Sequence, residues 1–180
     1  MDASVAGVVG AAIGVLGAVA GGWVSVVGQG RQQQRQLQAE REYRREAARR
    51  EAYGALIAST KLLSNAWWRF ADSVTDEQSP PEHWRASFAE VHETWTQFST
   101  AVAAVAVAGP VAAAQAAEEL RVAMYDWEMA GMDWFSAALR EDHGRLTECD
   151  ERFKEAWQAK RTPDRAFQQA ARRALGTEEP

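Results

Sequence analysis

An uncharged apolar segment near the N-terminus constrains this chain more than any other feature. No charged residue occurs in the 25 positions from Ser4 to Gly28, which are mostly Val, Ala, Gly, Ile and Leu. About 20 apolar residues in a helix are enough to cross the hydrocarbon core of a bilayer. The segment therefore predicts a single transmembrane helix, and with it a membrane anchor at residues 1–28.

Glycine recurs along one face of this predicted helix. Spacings of three, four and seven residues separate the glycines of that face, which are Gly7, Gly10, Gly14, Gly17, Gly21 and Gly28. Glycine inside a helix in water costs roughly 1 kcal/mol relative to alanine, whereas in a membrane small residues let two helices approach closely. We expect this glycine zipper to mediate self-association and to produce a homo-oligomer. The alternative is that the pattern only reflects an Ala- and Gly-rich composition.

The charges around the segment predict its orientation. A cleaved signal peptide is an alternative because Ala18-Val19-Ala20 is similar to a cleavage site, but the positive n-region of such a peptide is missing. Seven arginines follow the segment and none precedes it, which places the downstream chain in the cytoplasm under the positive-inside rule. The single cysteine, Cys149, is typical of a reducing compartment. We therefore expect a single-pass protein of the cell membrane, with the N-terminus outside and residues 31–180 in the cytoplasm.

Residues 29–52 are strong helix formers with few large apolar side chains. Between residues 31 and 52 there are seven Arg and four Glu, a net charge of +3, whereas residues 53–180 carry a net charge of −7. Glu40 with Arg44 and Glu46 with Arg50 are predicted ion pairs at i, i+4. The pattern predicts a polar helical stalk. Its alternatives are a strip on anionic lipid headgroups and a nucleic-acid contact; the latter is not expected because the chain is acidic and the strip is mixed in sign. The arginines that we expect to contact membrane lipid are Arg31, Arg35, Arg41, Arg44 and Arg45.

From Tyr53 onward, large apolar residues recur at alternating steps of three and four. This spacing predicts amphipathic helices. Loops or turns are predicted at Ser73–Glu82, at Gly109-Pro110, near His143-Gly144 and at Thr162-Pro163. No part of the sequence has the alternation of a strand. The sequence therefore predicts an all-α chain in which residues 53–180 fold as a cytoplasmic antiparallel helical bundle with coiled-coil-like packing.

Seven of the eight tryptophans lie in this predicted bundle. Those on the apolar stripes of the helices are predicted to belong to the core: Trp67, Trp84, Trp95, Trp127 and Trp134. The alternative is that some of them line an aromatic ligand pocket. Trp68 does not fit the stripe of its helix, so we expect it to be exposed and to contact a cytoplasmic protein partner.

The residue types that carry chemistry are not arranged for catalysis. His83, His92 and His143 have no metal-ligand spacing, and Cys149 has no companion. The acidic residues near the core stripe, which are Glu90, Asp126, Glu128 and Asp133, are expected to be solvated, and the alternative is an inward-facing pair of carboxylates among them. The sequence contains no phosphate-binding glycine loop, nucleophile elbow or triad order. We therefore expect no enzyme, and no catalytic, metal or cofactor site.

Several stretches resemble a known group of proteins. They are the Gly/Ala-rich N-terminal segment, RQQQRQLQAEREYRREAARREAYGALI, AVAVAGPVAAAQAAEEL and the ending RAFQQAARRALG. Together they resemble uncharacterised membrane-anchored helical proteins of high-GC actinobacteria, over most of the chain. The resemblance implies a membrane protein that faces the cytoplasm, and it implies neither an activity nor functional residues.

These features favour a membrane-anchored, self-associating scaffold or adaptor that presents a cytoplasmic bundle to a protein partner. Two other classes stay open. The glycine-rich helix is also compatible with a membrane-permeabilising effector of the holin or pore-forming type. An aromatic pocket between bundle helices would instead make the chain a small-ligand sensor.

Overall fold

The computed structural model describes the backbone of residues 3–140 and 143–177 and the side chains of residues 34–140 and 145–177. Five α-helices lie in this part of the chain: α1 (Ala3–Thr75), α2 (Pro81–Ala108), α3 (Val111–Leu139), α4 (His143–Ala159) and α5 (Arg161–Ala174). The described residues contain no strand. The predicted all-α class and helical bundle are confirmed.

The chain divides into two compact units, one up to Arg45 and one from Glu46 on. The sequence placed the start of the bundle at Tyr53. The helix already contacts the bundle ahead of that residue: the Nε–H of Arg49 donates to the carbonyl oxygen of Ala108 at 3.1 Å, and Ala52 is buried.

The predicted anchor lies in the first unit. The backbone of α1 is helical from Ala3 on, but the side chains of the predicted span Ser4–Gly28, including its glycine face, lie outside the described residues. Within the part of the chain whose side chains are described, no helix is long and apolar enough to cross a membrane.

In the second unit, α1 and α2 run antiparallel. Arg69, near the end of α1, forms an ion pair with Glu90, near the start of α2. Toward the other end of the pair, Ala55 and Ala104 line the same groove. The tight turn at Gly109-Pro110 then reverses the chain into α3, and a β-carbon at Gly109 would lie 2.9 Å from the carbonyl oxygen of Val105. This close approach explains why glycine ends α2.

The last two helices follow one another as one bent helix. Lys160, between them, has helical dihedral angles, and its N–H donates to Ala156 O at 3.1 Å. The N–H of Asp164 donates to Lys160 O at 3.1 Å, so helical hydrogen bonding continues across the bend. Pro163 has no backbone N–H, so the helical hydrogen bond to the carbonyl oxygen of Ala159 is missing, and the hydrogen-bond pattern is interrupted there. The sequence predicted a break at Thr162-Pro163; instead, both residues lie in the first turn of α5.

The core of the bundle is rich in aromatic residues. The ring of Phe153 lies 5.2 to 5.8 Å from the rings of four tryptophans, which are Trp67, Trp68, Trp127 and Trp134. The predicted core stripe of α3 is buried along its whole length: Ala113, Ala117, Leu120, Met124, Trp127, Gly131, Trp134 and Ala138. Trp84 and Trp95 differ from the prediction. They are only partly buried: Trp95 packs against the outside of the core, and Trp84 lines a cleft.

Two helix ends also differ from the sequence prediction. α1 continues to Thr75 and so includes the first three residues of the predicted loop; the Thr75 hydroxyl donates to Ala71 O at 2.9 Å. α3 ends at Leu139 rather than near His143, which instead begins α4.

Candidate functional site

The outward side of α3 carries large apolar residues that stay exposed in the described bundle, although the ring of Tyr125 lies 6.3 Å from that of Trp95 of α2. These residues are Val122, Tyr125, Met132 and Leu139, which are 46%, 46%, 41% and 39% exposed. Tyr125, Met132 and Leu139 follow one another at intervals of seven, so they form one row along the helix. We call these four residues the outer face of α3. Clustered exposed apolar side chains of this kind are typical of interaction surfaces.

An acidic row borders the outer face of α3. Glu119, Asp126 and Asp133 also recur at intervals of seven and are all exposed. Asp133 forms an ion pair with Arg152 of α4 at 3.2 Å. Glu119 and Asp126 lie three residues before and four residues after Val122, so they place negative charge beside the outer face of α3. The surface is therefore complementary to an amphipathic helix with basic flanks.

Trp68, the predicted partner contact, is not fully exposed. It is half-buried, and its ring lies 5.3 Å from that of Trp157 and 5.8 Å from that of Phe153. The apolar stripe of α1 did not predict the partial burial of Trp68, which lies outside the stripe. Trp68 is partly buried because Phe153 and Trp157 of α4 pack against it. Partner binding through Trp68 stays a prediction, with a smaller accessible surface than expected.

The predicted lipid-binding arginines lie in the polar segment of α1. Arg35, Arg41, Arg44 and Arg45 are exposed, whereas the side chain of Arg31 lies outside the described residues. The predicted ion pairs are both present, Arg44 with Glu40 at 2.5 Å and Arg50 with Glu46. Contact of these arginines with lipid stays a prediction.

One of the acidic residues expected to be solvated is buried. Glu128 of α3 is 9% exposed, and burial raises the pKa of its carboxyl group, although the charge of His92 opposes this shift. Glu90 and Asp133 are instead exposed and paired with arginines. Among the described residues, no group of three His, Cys, Asp or Glu side chains comes together as a metal site requires.

A cleft lies at the end of the bundle where α1 meets α2. Its volume is about 650 Å³, and its lining includes Trp84, Trp134, Asp76 and Asp150. The indole Nε1 atoms of both tryptophans are buried, and no acceptor among the described residues lies within hydrogen-bonding distance of them. This cleft is where a ligand of the predicted sensor would have room.

A smaller polar cavity lies at the bend between α4 and α5. Its volume is about 140 Å³, and it is lined by Ile57, Thr60, Lys61, Ser64, Asn65, Lys160, Asp164 and Gln168. Lys160 is 6% exposed, and its Nζ donates to Ser64 Oγ at 3.0 Å. Burial lowers the pKa of this amine, while the nearby Asp164 carboxylate opposes the shift.

Sequence reasoning missed both the outer face of α3 and the buried Lys160. A second apolar register at residues 122, 125, 132 and 139 was present in the sequence, but the stronger core stripe of α3 dominated its interpretation. Lys160 gave no apolar periodic signal, because a buried lysine has the same residue type as an exposed one.

Comparison with models of protein families, with curated proteins and with solved structures gives no match for this chain.

Proposed function

We propose that this chain is a membrane-anchored adaptor that self-associates through its N-terminal helix and binds a protein partner through the outer face of α3. The observation that carries the proposal is the exposure of Val122, Tyr125, Met132 and Leu139 on a helix whose other side is fully packed. An exposed apolar row is costly in water unless something covers it.

The chemistry of the surface favours one kind of partner. Apolar side chains spaced along a helix are suited to the apolar face of a second helix, and the acidic row favours Lys or Arg at its flanks. We therefore propose that the partner contributes a basic amphipathic helix. Such a segment could come from another protein or from a second copy of this chain.

The anchor is supported by the length and composition of Ser4–Gly28. Its test is an alkaline wash of membranes from cells that express the full chain. The wild type should stay in the pellet. A variant with Ile13→Lys and Val19→Lys should move to the supernatant, since charges at the centre of a span are costly. Release of the wild type by the wash would contradict the anchor.

The binding surface is tested by photo-crosslinking in cells with a photo-reactive residue in place of Met132, and with the same residue in place of the exposed Glu155 of α4 as the control. We expect one discrete adduct from position 132 that is absent from position 155 and is lost with Tyr125→Ser. An adduct of twice the chain mass identifies a second copy, and another mass identifies a different protein. Equal labelling at the two positions, or none at position 132, would overturn the adaptor.

Self-association through the glycine face has a separate test. Replacement of Gly14 or Gly17 by Leu should reduce a cross-linked oligomer of the detergent-solubilised chain to a monomer, because the bulkier side chain prevents close approach of the helices. A wild type that is already monomeric would exclude this mode of assembly. Dye leakage from liposomes that depends on the same glycines would favour a pore instead.

A further inference from the structure

The cavity at the bend between α4 and α5 holds a buried amine with an uncommon set of neighbours. Besides its hydrogen bond to Ser64, the Nζ of Lys160 lies 3.6 Å from Asp164 Oδ2 and 5.7 Å from the centre of the Trp127 ring. The cavity therefore combines an amine, a carboxylate, a hydroxyl and an aromatic face.

Most of the other lining residues are polar, Ile57 excepted, and they come mainly from α1. Lys61 and Asn65 face the cavity from that helix, and Gln168 of α5 donates through Nε2 to Asp164 Oδ1 at 2.9 Å. One water molecule in the liquid takes about 30 Å³, so about 140 Å³ corresponds to the volume of roughly five water molecules. The space suits a small anionic metabolite better than a nucleotide or a peptide.

The residue type at position 160 matters for the chemistry. The chain has 17 arginines and only three lysines, Lys61, Lys154 and Lys160. Arginine stays charged in proteins, whereas a buried lysine can lose its proton and act as a nucleophile. The charged groups near the Lys160 amine are Asp164 and Arg161 of α5 and Lys61 of α1, while α3 contributes the ring of Trp127.

We propose that Lys160 is a covalent binding site for a small 2-oxo acid, whose keto carbon forms an imine with Nζ. The carboxylate of the ligand would pair with the ammonium group of Lys61 and accept a hydrogen bond from the Asn65 amide. This inference is independent of the outer face of α3, and it gives the bundle a way to sense a metabolite.

The step balances without a redox partner. The ammonium group of Lys160 transfers one proton to Asp164, and the amine lone pair attacks the keto carbon. A C–N bond forms while the π pair of the C=O bond moves to oxygen. Two of the three ammonium protons leave with that oxygen as water. The product is an iminium ion that keeps one positive charge beside the Asp164 carboxylate and the Trp127 ring, which both stabilise it.

The test uses the full-length protein, pyruvate as the probe and cyanoborohydride to trap the imine, with the three lysines mapped by mass spectrometry. Lys154 provides a matched control because it also pairs with an aspartate at i, i+4, Asp150 at 2.6 Å, but is exposed. We expect Lys160 to be modified at least about 10-fold faster than Lys154 at neutral pH, since its neutral fraction is larger. This comparison is made in the wild type and does not depend on a variant folding.

Modification of Lys160 that is absent, or no faster than that of Lys154, would overturn the proposal and leave Lys160 as a buried ion pair. In urea the difference between the two lysines should disappear. Asp164→Asn should slow the trapping at neutral pH by about 10²-fold, because it removes the carboxylate that takes a proton from the Lys160 ammonium group and returns it to the departing oxygen, whereas Asp150→Asn should not. An equal effect of both changes would also contradict the assignment.

Discussion

The indole ring of Trp67 lies where a side chain at residue 131 would begin: a β-carbon added to Gly131 would come within 2.1 Å of Trp67 Cζ3 and 2.3 Å of Cη2. α1 and α3 can therefore approach this closely only because residue 131 is glycine. The ring that fills this space also contacts Phe153 and Phe88, so the pair lies at the centre of the aromatic core.

Gly131→Ala should destabilise the bundle even though alanine is the better helix former. The new methyl group must displace a large, enclosed ring, and such overpacking costs about 1–3 kcal/mol. Urea unfolding of the full chain, followed by circular dichroism, measures the change. Gly54→Ala is the control, because nothing lies within 4 Å of a β-carbon there and the change should stabilise α1 by up to about 1 kcal/mol. Equal effects at the two glycines would contradict the close approach.

Phe153→Ala should be the most damaging truncation in the bundle. The ring is fully buried among four tryptophans, and loss of such a ring typically costs about 3–5 kcal/mol. Val107→Ala, at a position that is 89% exposed, should change the free energy of unfolding by less than about 0.5 kcal/mol. If the alanine variant does not fold, Phe153→Leu gives a smaller loss that can be measured. An unchanged free energy of unfolding for Phe153→Leu, together with a large loss for Val107→Ala, would contradict the placement of Phe153 in the core.

Glu128 should make stability depend on pH. Burial raises the pKa of its carboxyl group, so the folded state binds this proton more tightly than the unfolded chain, where the pKa is about 4.3. Its contribution is therefore fully present below about pH 4 and is lost as the pH rises through the folded-state pKa. Glu128→Gln should be more stable than the wild type at neutral pH, and the difference should shrink in acid. Thermal unfolding over a pH series checks this, and parallel curves for the two proteins would exclude the effect.

Arg49 and Arg50 are adjacent but should differ in their contributions. Arg49 donates to the carbonyl oxygen of Ala108 at the end of α2, whereas Arg50 pairs only with the exposed Glu46 among the described residues. We expect Arg49→Ala to cost about 1 kcal/mol because it leaves a helix-end carbonyl unpaired. Arg50→Ala should cost about 0.3–0.5 kcal/mol. Urea titrations of the two variants measure the difference, and the reverse order would contradict the contact.

Periodicity was enough to predict the helices and much of the core. The stripe from Ala113 to Ala138 is buried as predicted, because alternating steps of three and four keep a residue on one side of a helix. The same pattern could not show which neighbour covers Trp68, since that depends on the position of α4. Nor could it predict the burial of Glu128, which lies next to the stripe rather than on it.

The candidate sites were harder to predict than the fold. The outer face of α3 is a second row of apolar residues on a helix whose core stripe is already apolar. A pattern read from a single sequence predicts one buried side for each helix, so the second row was not recognised. Lys160 is buried because its amine lies against Ser64 of α1 and Trp127 of α3, which is a feature of tertiary structure. Local sequence therefore determined the helices, while the packing between them determined which polar groups became enclosed.

The tryptophans give the bundle an optical property of its own. Trp67, Trp127 and Trp134 are almost completely enclosed, and their indole N–H groups have no acceptor within the described part of the chain. Indoles in such surroundings emit at short wavelengths. The rings of these three tryptophans all lie within 5.7 Å of the ring of Phe153, so they are close enough to exchange excitation energy. The intrinsic fluorescence of the intact chain should therefore shift to the red when the helices separate, and any molecule that enters the cavity beside Trp127 should change it without a label.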